Sequence, residues 1–350
     1  MNIANLDTPV AVVDLDIIED NIQRLQHYLD QHQIASRPHI KTHKLPEIAH
    51  MQLNAGAVGI TCQKLGEAEV MAQAGITDIF ISYNIIGSNK LERLIRLAQR
   101  VKITVAADSE FVIDGYAQAA STADTLLSVL VEFDTGANRC GAQSPEETAT
   151  LVRQIHQASH LHFAGLMTYP SNEQTDDLVR QVRALLEPDG ITIQHVSGGG
   201  TPKMFEAHTH PEVTEHRAGT YIYGDRSLIK NGAITQANCA MTILTTVMSR
   251  PTEDRGILDG GGKALSYDRL GPDDGHGHIV EYPEAHIYGL SEEHAHVDFS
   301  KCTQKPKIGE VVSVIPNHCC VVTNLFNEMV GVRGDQVEVI WPIASRGLLR

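Results

Sequence analysis

The chain has 350 residues, 42% hydrophobic and 20% charged, which suits a globular protein with one large domain and a smaller one. Its formal net charge of −15, with histidine neutral, argues against nucleic acid and anionic membrane as main partners. No apolar run approaches the roughly 18 residues of a membrane span and no signal-peptide pattern opens the chain, so the six cysteines read as free thiols of a cytoplasmic protein.

A run at 9–13 reads as a strand, and 17–30 as a helix. From about residue 35 to 221, short runs rich in Val, Ile, Phe and Ala alternate with helical segments. Strands are predicted at 35–41, 57–63, 78–83, 102–108, 127–134, 161–169, 193–198 and 215–221. Helices are read at 44–55, 65–74, 89–100, 146–158 and 176–186, with Gly56, Gly66, Gly75, Gly87 and Gly190 punctuating the joints. Eight strands alternating with helices predict an α/β chain with a (β/α)8 TIM barrel. A doubly wound open sheet is the competing fold. After about residue 232 the segments 240–248, 255–258, 278–280, 285–290, 311–315 and 337–341 read as strands with turns and few helices. The expected domains are a barrel over 14–232 and a mainly β domain over 233–350, to which 9–13 can add a strand.

The segment Arg37-Pro-His-Ile-Lys-Thr-His-Lys44 packs three Lys/Arg and two His into eight residues. At the C-terminal end of the first barrel strand, Lys41 is placed to form a Schiff base with a cofactor aldehyde. Neighbouring cations at Arg37 and Lys44 would favour its unprotonated form. A solvated basic turn is the plainer alternative. Ser197-Gly-Gly-Gly-Thr-Pro202 follows the seventh strand. Its glycines, Gly199 and Gly200 among them, let backbone N–H groups approach an anion, and Ser197 and Thr201 add hydroxyls. The eighth strand runs into Arg217-Ala-Gly-Thr-Tyr221, where Gly219 stands beside Thr220. The pair of loops reads as a divided phosphate cup, with plain tight turns as the alternative.

His318-Cys319-Cys320 follows Pro316-Asn317. In an extended segment residues i and i+2 share a face, so His318 and Cys320 would grip one ion while Cys319 points away. Imidazole plus thiolate suits Zn²⁺; two buried cysteines beside a histidine are the alternative. Asp134, Arg139 and Tyr169 fall at or just past strand ends, 259–263 is a glycine-rich turn, and Glu292-Glu293-His294 offers carboxylates to a metal. Each has a plain counterpart as a cap, a surface charge, a hairpin or a solvated acidic turn.

The stretches 37–44, 66–69, 139–141, 197–202, 217–221, 291–294 and 316–320 together resemble the D-threonine aldolase and D-serine dehydratase family of pyridoxal-phosphate enzymes, of alanine racemase-like fold. The resemblance spans nearly the whole chain. It implies that Lys41 holds pyridoxal 5'-phosphate as a Schiff base. It also implies that Gly199, Gly200, Gly219, Thr220 and Tyr221 lie in the phosphate loops, with Arg139 and Tyr169 around the cofactor. His318 and Cys320 match a metal pair, for Zn²⁺ or else Mn²⁺ or Mg²⁺. The implied activity is a lyase of D-β-hydroxy amino acids, most like D-threonine aldolase, cleaving to glycine and an aldehyde. The same parts would serve a D-serine or D-3-hydroxyaspartate dehydratase. A racemase would need a second base opposite Lys41 and no metal, and a pyridoxal-phosphate carrier would be a bare barrel. One departure stands out: the family's aldolases commonly carry a Gly-His element after the strand-six tyrosine, whereas this chain reads Tyr169-Pro-Ser-Asn172. A homodimer is expected, as in related enzymes that complete their sites between subunits.

Overall fold

Runs of Val and Ile only three to seven residues long bury best in a parallel sheet, and most of the eight barrel strands are of that kind. They are Ala35–Ser36, Ile60–Cys62, Asp78–Ile81, Lys102–Ala107, Leu127–Glu132, Leu161–Met167, Val196–Gly199 and Glu215–Arg217 in the computed structural model, which describes residues 1–350. From Ile60–Cys62 onward each strand pairs in parallel with the next, and Glu215–Arg217 returns to Ala35–Ser36. A parallel bridge between His39 and Thr61 closes the ring. There Ile40 N donates to Thr61 O at 2.9 Å and Thr61 N donates to Pro38 O at 2.8 Å. The closed ring makes this a TIM barrel and removes the open doubly wound sheet from consideration.

The chain divides into two units. The barrel unit comprises Gln23–Lys41, Pro46–Gly219 and Leu348–Arg350. Its packing follows the two-residue period of the strands. Ile79 and Ile81, Val105 and Ala107, and Val129 and Val131 face the helical layer, in one cluster with Leu94, Ile113 and Tyr116. The residues between them, Phe80, Ala106 and Leu130, join Met167 in a separate inner layer. A charged network lies among the same strands: Arg37 donates from Nε to Glu215 Oε2 and from Nη1 to Asp78 Oδ1, both at 2.6 Å.

Two neighbours on the last barrel strand make the fold acid-sensitive. Burial drives the His216 imidazole down to about 4, helped by the adjacent Arg217 charge. Burial alone would raise Glu215, but His195 and Arg37 outweigh it and bring the carboxyl down to about 2. In both cases the unfolded chain binds the proton more tightly, so stability is lost as pH falls. His216 acts between its ordinary 6.5 and about 4, and Glu215 between 4.5 and about 2. The His216 contribution is on the order of 3 kcal/mol. Thermal unfolding followed from pH 7 to 4.5 should show Tm falling steadily, and His216→Gln should flatten that slope.

The other unit comprises Met1–Ile22, Thr42–Leu45 and Thr220–Gly347, and is built on a nine-stranded sheet. Val10–Asp14 lies inside that sheet, antiparallel to Met241–Ser249 and parallel to Glu328–Arg333. Its fully buried positions, Ala11 and Val13 among them, match a strand covered on both sides. All six cysteines are free thiols. No helix is long and apolar enough to cross a membrane.

Candidate active site

Lys41 follows the closing bridge of the barrel, and its backbone N donates to His39 Nδ1 at 3.3 Å. It lines a cavity of about 610 Å³ together with Gln63, Ser82, Asn84, Glu132 and Arg139. These residues sit at or just beyond the C-terminal ends of strands, the usual catalytic face of a barrel. The volume suits a cofactor-sized ligand. The Arg139 guanidinium stands 5.0 Å from the Tyr169 ring centroid, so Lys41 and Arg139 share the cavity and Tyr169 backs Arg139. The two cations expected beside Lys41 have their own partners. Arg37 is neutralised by Glu215 and Asp78, and Lys44 is buried with its Nζ directed to Ser345 O at 3.4 Å.

The glycine loops are tighter than an open anion cup. Gly199 N donates to Ser171 Oγ at 2.9 Å and Gly200 N to Arg217 O at 3.1 Å. A Cβ on Gly199 would meet Arg217 O at 2.5 Å, and Gly200 needs its φ of +129°. Ser197, expected as an anion donor, is fully buried: its Oγ donates to Glu215 Oε1 at 2.5 Å and accepts from Arg217 Nη1 at 2.6 Å. Its role is therefore structural. The two loops are tied, since Gly219 N donates to Thr201 Oγ1 at 3.1 Å. That contact brings Thr201 and Gly219 side by side, with the Thr201 hydroxyl hydrogen left to donate.

His318 and Cys320 lie in the second unit, and their local structure differs from the expected strand. His318 is the extended N-cap, with φ −143°, of a helix at Cys319–Leu325. The β-branched run Val321-Val322-Thr323 carries strand propensity, but here it folds as helix. Cys319 is fully buried in the first turn of the helix and Cys320 is partly exposed, and helical rotation rather than strand alternation sets the two side chains. His318 Nδ1 lies 3.0 Å from Asp225 Oδ2, on a fully buried carboxylate that also accepts from Cys319 N at 3.2 Å. The Asp225 bond raises the imidazole to about 10, aided by Cys320. The Cys320 thiol is held well below its ordinary value, first by the Cys319 hydrogen bond and then by His318. Thr42 Oγ1 lies 3.1 Å from Cys320 Sγ, and Thr220 Oγ1 lies 3.8 Å from it.

A thiolate-prone cysteine beside a histidine whose Nδ1 is engaged by a carboxylate is a fitting donor pair for a soft divalent ion. No group of three or more His, Cys, Asp or Glu stands close enough together to hold a metal ion. Glu292 and Glu293 are solvent-exposed, and Glu293 pairs with Lys263. Two carboxylates carry no readable signal in the sequence. Asp225 and Glu132 are isolated acids whose neighbours appear only in the fold. The matched acids at 67 and 69 are structural, with Glu67 Oε2 capping a helix through Gln63 N and Lys64 N, and Glu69 pairing with Arg93.

Residues 13–227 match the family described as alanine racemase, N-terminal domain, and residues 240–332 match the serine dehydratase domain family. The D-threonine aldolase of an Arthrobacter species is 35% identical, over 99% of this chain and 95% of its own length. The crystal structure of D-threonine aldolase from Filomicrobium marinum aligns with a TM-score of 0.90 at 31% identity, covering 99% of this chain and 98% of that one. The D-threo-3-hydroxyaspartate dehydratase of Delftia sp. HT23 aligns with a TM-score of 0.86 at 27% identity, covering 97% and 98%. A cysteine-to-alanine variant of a dehydratase of that name is described as being in the metal-free form. A barrel with its lysine in a C-terminal cavity, a β domain, and full-length relatives of this kind lead to one conclusion: the chain belongs to the D-threonine aldolase and D-serine dehydratase family of pyridoxal-phosphate enzymes.

Proposed function

We propose that this chain is a pyridoxal-phosphate- and divalent-metal-dependent lyase of D-β-hydroxy amino acids, cleaving them to glycine and an aldehyde. The observation that carries the proposal is the contact of Thr42 Oγ1 with Cys320 Sγ at 3.1 Å. Thr42 is the residue next to Lys41 in the chain. The cofactor, when bound, supplies an electron sink for charge developing at Cα. Lys41 Nζ would hold it; in dehydration the same amine would take the α-proton, whereas aldol cleavage requires removal of the β-hydroxyl proton. The loops of Gly199, Gly200, Thr201 and Gly219 would border the phosphate, with the Thr201 hydroxyl hydrogen as the donor their internal hydrogen bonds leave over; Thr220 and Tyr221 are assigned to it on the family resemblance. Ser197 sets the loop from beneath through Glu215 and Arg217. Arg139 and Tyr169 orient the bound amino acid. His318 and Cys320 would hold the ion, for which zinc suits the donors best, and Asp225, on His318 Nδ1, would leave Nε2 as the ligating nitrogen. A homodimer completes the proposal, on the family resemblance.

A second reading is dehydration of D-serine or D-3-hydroxyaspartate at the same site. It is favoured by Tyr169-Pro-Ser-Asn172, where the histidine of the aldolases is missing. In the fold Ser171 supports Gly199 and Asn172 Nδ2 donates to Thr135 O at 2.6 Å, so neither replaces it.

A substrate gripped by amine, carboxylate and β-hydroxyl presents all three correctly in one configuration only. The loaded enzyme should consume D-threonine and leave L-threonine and D-alanine untouched. Polar groups left unpaired by a missing hydroxyl discriminate by roughly 10⁴-fold or more. Rapid interconversion of D- and L-alanine, with D-threonine unchanged, would overturn the lyase and restore a racemase.

A further inference from the structure

Two histidines of the Arg37–Lys44 stretch, His39 and His43, have no part in the chemistry so far. The barrel ladder closes through Ile40, whose N donates to Thr61 O at 2.9 Å. The next N–H, that of Lys41, is met by a side chain: His39 Nδ1 accepts from it at 3.3 Å. The same turn recurs four residues on, where His43 Nδ1 accepts from Leu45 N at 3.1 Å. His43 and Leu45 are fully buried, so that copy serves packing. The copy at His39 serves a lysine that lines a cavity.

Accepting at Nδ1 requires a lone pair there, so the His39 imidazole is neutral and carries its proton on Nε2. Its surroundings agree. His39 Nε2 lies 3.1 Å from Gln63 Oε1, and Gln63 Nε2 donates to Ser82 O at 3.3 Å. The Gln63 amide is thereby turned with its oxygen towards the imidazole, where it receives the Nε2 proton. Gln63 and Ser82 line the Lys41 cavity, whereas His39 is buried and stands outside that lining. A lysine amine rides on a flexible four-carbon stem, so the backbone at its root decides where it reaches. A displacement of about 1 Å costs roughly 10²-fold in rate. A neutral imidazole fixes that backbone without adding a positive charge beside the amine.

We propose that His39 is a positioning residue: held by Gln63 as the Nε2–H tautomer, it fixes the Lys41 backbone through Nδ1 and so sets where the Lys41 amine meets the cofactor aldehyde. The assignment rests on the function proposed above. It adds a residue that acts through Lys41 and touches no reacting atom.

The test has two arms. In the first, the full chain is labelled with ¹⁵N-histidine and the His39 signals are identified by their loss in His39→Asn. Near neutral pH they should report a bare Nδ1 and a protonated Nε2; the opposite tautomer, or an imidazolium, overturns the assignment. In the second, the protein is stripped of cofactor and mixed with pyridoxal phosphate, and the growth of the visible band is timed. The enzyme reloaded with pyridoxal phosphate and zinc is then assayed with D-threonine. His39→Leu should slow band formation and lower kcat, each by roughly 10²-fold, with KM little changed. His39→Asn should recover most of both, because an asparagine oxygen accepts from the N–H two residues ahead. A merely structural imidazole would be missed equally by both variants, as a lower Tm with kcat per bound cofactor unchanged. If His39→Leu does not fold, the tautomer and a near-normal His39→Asn decide. A normal wild-type band with normal kinetics in His39→Leu overturns this assignment while the lyase stands. A wild-type chain that forms no cofactor band overturns both.

Discussion

Lys41→Ala should lose the visible cofactor band and at least about 10³-fold of activity, as removal of a covalent catalytic group does. The fold should survive, because the side chain lines a cavity and the closing bridge of the barrel is made by the His39 and Thr61 backbones. Circular dichroism and Tm should therefore match the wild type. The location makes the effect specific: Lys41 is the lysine at the end of the first barrel segment, and Lys90 is the other lysine that lines the same cavity. Borohydride reduction followed by peptide mapping should attach the cofactor to Lys41. A normal band in Lys41→Ala, trapped on Lys90, would remove the assignment.

Stripping the metal should give the second large loss, roughly 10²-fold or more in lyase activity, with the cofactor band retained. His318→Ala and Cys320→Ala should reproduce the chelated enzyme. Asp225→Asn should weaken zinc binding by 10–100-fold, read as metal content at fixed free zinc, since it removes the carboxylate that orients His318. Cys319→Ala should differ from all of these. Its thiol is buried in the first turn of the helix, so the expected loss is about 1–2 kcal/mol of stability with much of the activity kept. Equal losses at positions 318, 319 and 320, or full activity in excess chelator, would count against a catalytic metal pair.

The barrel was legible because its code is local. Alternating short apolar runs and helical segments, with glycines at the joints, survive any error of a few residues at each end. The ends were over-read where the chain leaves the sheet early: 35–41 shrinks to Ala35–Ser36 plus the bridge at His39, and 215–221 shrinks to Glu215–Arg217. The helix Glu110–Thr122 was not among those read, since Gly115 and an alanine-rich, weakly amphipathic sequence blur its period. At the site, motif spacing pointed to Lys41, the glycine loops and His318 with Cys320. It gave the wrong local geometry for the last pair, taking 318–320 as an extended segment where the chain enters a helix at Cys319. It also misassigned the hydroxyl of Ser197, whose partners Glu215 and Arg217 lie on another strand. Glu132 and Asp225 were invisible for the same reason. An isolated acid has no spacing to read, and its meaning comes from the arginine or histidine the fold sets against it.

The most direct test of the central claim is product analysis of the wild-type enzyme, loaded with pyridoxal phosphate and zinc and incubated with D-threonine. The account predicts equimolar glycine and acetaldehyde, no ammonia, and no product after chelation. Release of ammonia with the corresponding 2-keto acid, and no glycine, would contradict aldol cleavage and assign the site to dehydration.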